Sequence, residues 1–274
     1  MKNILQITSV QNPKIKSAIK LFDRKDRDQS KRFIIEGYRE LKRASDANIR
    51  IEALFICPSL FLGENEIALI EQIRKNGAEI FSTDEKVFKK LSYRDRPDGL
   101  VAIARQMNAT LDDLTLKIKT KKNPFFLVAE AIEKPGNLGT MLRSCDAVGV
   151  DGVIICDRCT DIYNPNVVRA SVGTLFTVPV VEADGQHVLS WLKEHAVKIF
   201  SSTPNTNVEY TEADLSGPVA LVVGTEQLGL SERWLSAADL KVRIPMMGEA
   251  DSLNVATATT LLLYEVLRQR RSRR

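Results

Sequence analysis

The sequence predicts an α/β protein built in two parts, and three observations carry that reading. Short apolar runs of strand length alternate with helical patterns along most of the 274 residues. Hydrophobic residues make up 44% and charged residues 27%, a globular balance with ample core material. Charge is also divided unevenly: residues 1–107 carry 21 Lys and Arg against 15 Asp and Glu, and residues 108–267 carry 13 against 20. The closing "RQRRSRR" adds five arginines. Positive charge at both ends of an otherwise acidic chain favours a polyanionic partner.

Taken in order, the first part begins with the helical "NPKIKSAIKLF" and continues through "RFIIEGYRELKRASD", the apolar run "IEALFIC", the helical "NEIALIEQIRKNG" and the strand-like "AEIFST". It closes with "DEKVFKKLS" and "GLVAIARQM", which makes 1–107 a compact α/β domain. The stretch 108–123, "NATLDDLTLKIKTKKN", mixes charge with weak periodicity before Pro124 and is expected to be a linker. From residue 124 to 274, apolar strands are expected at 125–130, 152–156, 177–181, 197–201, 219–223 and 241–244, separated by helical segments. That pattern predicts an open, mostly parallel sheet with helices on both faces. No internal repeat or low-complexity tract interrupts it.

Several classes are excluded on composition. The N-terminus lacks a long apolar region with a small-residue cleavage pattern, and no apolar run approaches the ~18 residues of a membrane span, so a cytoplasmic protein is expected. The four cysteines are too few and too scattered for a disulfide framework. Cys156 and Cys159 form one "CDRC", readable as half a zinc site or a redox pair. Neither histidine stands at ligand spacing from it, so no metal is expected.

Three loops of the second part hold polar residues that a plain fold would not require. In "AEAIEKPGNLGTMLRS" an apolar strand runs into Pro135-Gly136-Asn137 and then a helix bearing Arg143. In "ALVVGTEQLGL" a buried strand ends at Gly224, where a missing side chain allows a ligand to approach the backbone, with Glu226 just beyond. The third, "IPMMGEADSLNVATATTLLLYE", opens polar and ends as an apolar helix. Asp251 or Ser252 is expected to cap that helix, whereas Asn254 falls inside its first turn, where a cap is not needed.

Taken together, "NLGTMLRS", "VVGTEQLGLS" and "IPMMGEADSLNVATATTLLLYE" resemble the three ordered motifs of the SpoU/TrmH family of ribose 2′-O-methyltransferases in the SPOUT superfamily. "VVRASVGTLFTVPV" is similar to the segment that family carries between its first two motifs. Upstream, "RFIIEGYRELKRA" resembles the start of the small ribosomal-protein-like RNA-binding domain often fused ahead of the catalytic one. The resemblance implies a catalytic domain with a C-terminal trefoil knot, S-adenosylmethionine bound against backbone near Gly224, Ile244 and Leu253, and a homodimer. It implies Asn137, Arg143, Glu226, Ser252 and Asn254 as the reacting site.

Methyl transfer to a ribose 2′-OH needs a hydroxyl aligned with the sulfonium methyl and a path for its proton. No histidine lies in the three loops. By resemblance Arg143 handles the proton; a guanidinium with a pKa above ~12 does so more readily by gripping a neighbouring phosphate than as a free base. Glu226 and Asn137 are expected to position Arg143 or shape the loops, and Ser252 and Asn254 to hold the substrate phosphate or the loop geometry. Lys14, Lys16, Lys20, Arg24, Lys31 and Arg32 are expected phosphate contacts of the basic first part. Structured ribosomal RNA is the expected substrate, transfer RNA the alternative. Two rivals remain. A non-catalytic RNA-binding protein of the same fold is opposed by the five polar residues occurring together, and an unrelated doubly wound nucleotide enzyme by the absence of a phosphate-binding glycine motif.

Overall fold

A computed structural model describes residues 4–157 and 160–272. Cys159, and with it the second half of the "CDRC" reading, lies outside the described residues, as do the last two arginines of the tail. The chain runs β1 (Leu5–Ile7), α1 (Pro13–Lys20), α2 (Arg24–Ser30), β2 (Arg32–Glu36), α3 (Tyr38–Asp46), β3 (Ile51–Ile56), α4 (Glu66–Lys75), β4 (Glu79–Thr83), α5 (Glu85–Leu91) and β5 (Leu100–Arg105). It continues through α6 (Leu111–Thr120), β6 (Phe125–Glu130), α7 (Pro135–Val148), β7 (Gly152–Cys156), α8 (Pro165–Ala170) and β8 (Val180–Ala183). The last elements are α9 (Gly185–Glu194), β9 (Lys198–Ser202), β10 (Val219–Val223), α10 (Glu232–Ala237), β11 (Leu240–Val242) and α11 (Val255–Ser272). Two compact units result: residues 1–107 with 161–177, and residues 108–160 with 178–274.

The first unit has a five-stranded mixed sheet in the order β1-β4-β3-β5-β2, with β5 antiparallel to both neighbours. Its helices start where short polar side chains accept from orphan backbone donors: Asn12 from the Lys14 N–H at 2.9 Å and Asp84 from the Val87 N–H at 2.8 Å. Ile15, Leu21, Phe55, Phe81 and Phe88 fill the core beneath them. The segment 161–177 belongs to this unit although the sequence places it between β7 and β8. Arg27, 2% exposed, donates through Nε and Nη2 to Asp161 at 2.8 and 2.6 Å, and Phe33 packs its ring against Tyr163. Three of the six expected phosphate contacts already have acidic partners: Lys14 with Glu79, Arg24 with Asp28 and Arg32 with Glu52. Lys16, Lys20 and Lys31 make no ion pair among the described residues.

The second unit has a six-stranded, wholly parallel sheet in the order β11-β9-β10-β6-β7-β8. Every residue of β6, β7 and β10 is buried, as strands covered on both faces require. Phe126, Val128, Ala220 and Val222 face α9 and α10, packing with Val188, Leu192 and Trp234. The alternate residues turn to the other face, against which α7 and α11 pack together.

Residues 108–123 do not form a linker. They contain α6, started by a capping box between Thr110 and Asp113, with Leu111 and Leu114 buried in the core of the second unit. Two apolar residues among lysines and aspartates suffice because only one turn of the helix is buried. Edge strands also differ from expectation. The strand read at 177–181 forms at Val180–Ala183, since Thr174–Phe176 makes a 3-10 turn and Pro179 has no N–H to give a ladder. The strand read at 241–244 closes at Val242, ahead of Pro245. Among the described residues no helix is long and apolar enough to cross a membrane.

Candidate functional site

Strand order in the second sheet reverses between β6 and β10: the chain leaves β6 outward through β7 and β8, then returns on the other side through β9 and β10. Loops at the carboxyl ends of two such strands diverge and leave a crevice, the usual ligand position of an open parallel sheet. Beside that point a cleft of about 460 Å³ opens between the loops after β9, β10 and β11, within the ~300–1,000 Å³ of small-molecule sites. Gly224, Ile244 and Leu253, the three expected cofactor residues, all line it, together with Ser252 and Glu226. The apolar wall is continued by Val223, Leu230 and Leu235, and Thr203 and Asn205 add polar groups. A second cleft of about 80 Å³ adjoins it, lined by Lys134 and Asn137 on one side and by Thr225, Glu226 and Leu228 on the other. The loop 225–228 is therefore the wall between the two.

Glu226 is the hub of that wall. Its Oε1 accepts from Asn137 Nδ2 at 2.9 Å and from Asn254 Nδ2 at 2.5 Å, and its Oε2 from Lys134 Nζ at 2.5 Å. Asn254 Nδ2 also donates to Asn137 Oδ1 at 3.1 Å. The Lys134 bond foremost, then the Asn137 bond, holds the Glu226 carboxyl below the usual carboxylate range despite some desolvation. The three polar loops singled out in the sequence thus meet at one carboxylate.

Asn254 is also the cap of α11, contrary to expectation. Its Oδ1 accepts from the N–H groups of Ala256 and Thr257 at 3.1 and 3.4 Å, because the helix begins one residue later, at Val255. One amide group therefore divides its labour: the oxygen starts the helix and the nitrogen binds Glu226. Asp251 and Ser252 lie before the helix and line the larger cleft.

Arg143 is not drawn into this set. It lies six positions beyond Asn137 on α7, which turns it about 120° around the axis and carries it ~9 Å along it. It is exposed and makes no hydrogen bond or ion pair among the described residues, so its guanidinium is free to meet a ligand. Nearby, Ser144 Oγ meets Thr260 Oγ1 at 2.7 Å and ties α7 to α11.

Gly224 has a requirement of its own in the chain. A Cβ there would stand 2.3 Å from the carbonyl oxygen of Gly229 and 2.7 Å from the nitrogen of Leu230. The loop folds back so closely that Thr225 and Gly229 exchange both backbone hydrogen bonds, each at 3.1 Å. Its far end is held by Glu130, 5% exposed at the end of β6, which accepts from the N–H and hydroxyl of Ser231 at 2.7 and 2.6 Å.

Sequence reasoning missed Lys134, Glu130 and the wall residues Thr203 and Asn205. The turn-rich "SSTPNTN" after an apolar strand was a usable signal for the last two. Pairings such as Lys134 with Glu226, across 92 positions, leave no local trace. Cys156 is buried, which pushes its thiol well up, and an un-ionised thiol is a poor metal ligand or nucleophile. Among the described residues no group of three His, Cys, Asp or Glu side chains could hold a metal ion.

Known proteins resemble the chain along most of its length. The SpoU rRNA Methylase family matches residues 124–264, and the MRM3-like substrate binding domain matches residues 12–102. The chain is 28% identical to the 23S rRNA (guanosine(2553)-2′-O)-methyltransferase RlmP of Bacillus subtilis (strain 168), covering 95% of this chain and 98% of the relative. Its fold superimposes on an AdoMet-bound rRNA methyltransferase from Sinorhizobium meliloti with a TM-score of 0.88 at 30% identity, over 97% of this chain and 98% of that one. A solved RNA 2′-O ribose methyltransferase gives a TM-score of 0.80 at 42% identity, over 97% and 99%. This chain belongs to the SpoU rRNA methylase family.

Proposed function

We propose that the chain transfers a methyl group from S-adenosylmethionine to the 2′-hydroxyl of a ribose in ribosomal RNA, as a cytoplasmic homodimer. The observation that carries this reading is the meeting of Asn137, Glu226 and Asn254 on the wall between the two clefts. The larger cleft suits the cofactor: apolar walls at Val223, Leu230, Ile244 and Leu253 fit a flat purine, and Thr203, Asn205 and Ser252 offer partners for ribose and methionine polar groups. When bound, the cofactor supplies an electrophilic methyl on a sulfonium. The smaller cleft beside it receives the ribose.

Each residue then has a role consistent with its surroundings. Glu226, held anionic by Lys134 and two amides, is a weak base; it fixes the loops and orients the hydroxyl. The unpaired Arg143 grips a substrate phosphate and lowers the hydroxyl's pKa electrostatically. Gly224, Ile244 and Leu253 present the cofactor wall, and Ser252 holds the loop geometry beside them.

The same proposal assigns RNA binding to the first unit, 1–107 with 161–177, and catalysis to the second, 108–160 with 178–274, with the trefoil knot in its C-terminal portion. Ribosomal RNA is favoured over transfer RNA because a substrate-binding domain precedes the methylase domain and because a relative matched along nearly its whole length is a 23S rRNA enzyme. Mapping ribose 2′-O-methyls in RNA from cells with and without the gene tests the reading. One ribosomal site should disappear with the gene; an unchanged ribosomal map would overturn it.

A further inference from the structure

The first unit buries three carboxylates around one surface loop. Glu36, Glu40 and Asp98 are 7%, 4% and 8% exposed. Glu36 accepts from Ser92 Oγ at 2.5 Å and from the Tyr93 N–H at 2.8 Å. Arg94 donates to the Glu36 carbonyl at 2.8 Å and to Glu40 at 2.6 Å, and Asp98 accepts from the Tyr38 N–H at 2.9 Å. Gly37, at φ +107°, leaves room for the Arg94 guanidinium: a Cβ there would stand 2.4 Å from it. Burying carboxylates and a guanidinium is costly even when they are paired, and Arg94 Nε and Asp98 Oδ1 stay unpartnered in the interior. An apolar core would hold a plain turn at less cost.

What the network holds is the loop 92–98 with an outward-facing aromatic ring. Tyr93 is 42% exposed. Its hydroxyl accepts from Asn166 Nδ2 at 2.9 Å and its ring rests against Phe22, centroids 5.6 Å apart, so it is both exposed and fixed. Tyr93 and Arg169 line one shallow depression floored by Ile34, Pro165 and Val168. Arg169 and Arg96 are exposed and make no ion pair or hydrogen bond among the described residues, whereas Asp95 is the acidic neighbour on the loop.

From this arrangement we infer that Tyr93, with Arg169 lining the same depression and Arg96 three positions along the loop, is a preformed platform on which an unpaired RNA base stacks while the arginines meet adjacent phosphates. A rigid aromatic face beside free guanidinium groups is the chemistry that recognises unstacked bases in RNA loops, and fixing it beforehand lowers the entropy lost on binding. A paired helix offers no free base face to it. The inference rests on the RNA substrate proposed above and adds where the first unit reads it. It also shifts attention from Lys14, Arg24 and Arg32, whose charges are already matched.

The test uses the full chain and two labelled RNAs, a hairpin with an unpaired loop and a fully paired duplex. Tyr93→Ala should weaken hairpin binding about tenfold while leaving duplex binding and S-adenosylmethionine affinity unchanged. Tyr93→Phe should stay within about twofold of wild type, since the ring does the stacking. Arg169→Ala should flatten the slope of log K against log salt by about one. Unchanged hairpin affinity in Tyr93→Ala, or an equal loss for hairpin and duplex, overturns the platform. Methylation of ribosomal RNA by the wild type is scored separately. An active wild type beside an unaffected Tyr93→Ala sinks the platform alone; an inactive wild type beside the tenfold hairpin loss sinks the substrate reading alone.

Discussion

The two units use carboxylates in opposite ways. Glu36 and Glu40 of the first unit are buried, and desolvation raises their pKa values although Ser92 and Arg94 pull against it. Glu226 of the second unit stands at the mouth of a cleft, and its bonds to Lys134 and Asn137 lower its pKa. The first pair loses stability by being ionised and fixes a surface loop in return. The second is most settled when ionised and assembles a site from three distant loops. The loop 92–98 is thus held by buried carboxylates, and the three loops at the cleft by a carboxylate at its rim.

The largest effect should come from breaking buried charge in the first unit. Arg27→Ala would leave Asp161 buried without its cation, for a loss of about 3–5 kcal/mol, read as a drop in the denaturation midpoint. Because 161–177 folds with the first unit, a fragment beginning near residue 123 would carry Ile162, Tyr163, Val168 and Phe176 without the core that buries them. Point variants are therefore the cleaner way to separate RNA binding from catalysis.

In the second unit, Glu226→Gln keeps the shape of the hub but turns one oxygen into a donor facing Asn137, Asn254 or Lys134. Methyl transfer should fall about a hundredfold with little change in the denaturation midpoint, measured as single-turnover label transfer. Arg143→Ala should reduce transfer comparably while S-adenosylmethionine affinity stays near wild type, which calorimetry on the same preparation would read. Gly224→Val should lower cofactor affinity and thermal stability together, since the clash is with Gly229 and not only with a ligand; full stability with lost affinity would assign the glycine to the ligand.

Acid should separate the two carboxylate systems most gently. A carboxyl with a raised folded pKa binds its proton more readily when folded, so the penalty at Glu36 and Glu40 is relieved as pH falls from neutral. A carboxyl with a lowered folded pKa contributes stability above its ordinary pKa and loses it as pH falls through the folded value, so the Glu226 hub stays intact in mild acid. Hydrogen exchange should therefore show the loop 92–98 at least as protected at pH 5.5 as at pH 7.5. The loop 225–228 should open only at lower pH.

The central sheet was legible because β6, β7 and β10 are buried along their whole length, which turns each into an uninterrupted apolar run with turn residues at its ends. Edge strands such as β8 and β11 carry fewer constraints and shifted by one to three residues. α6 was missed because Leu111 and Leu114 are its only fully buried residues. The placement of 161–177 in the first unit depends on Arg27 meeting Asp161 across 134 positions, which no local pattern records. The site loops were legible as a set through their resemblance to one family. The convergence of Asn137, Glu226 and Asn254 was not, because the cap that fixes Asn254 depends on where α11 starts.

That cap also supplies the most direct test of the site. Aspartate caps a helix about as well as asparagine, so Asn254→Asp should keep α11 and the denaturation midpoint within about 1 kcal/mol of wild type. It would, however, replace the donor that meets Glu226 by a second carboxylate. Single-turnover methyl transfer to ribosomal RNA by Asn254→Asp should then fall about a hundredfold. A folded Asn254→Asp variant with wild-type transfer would contradict the hub as the organising feature of the site.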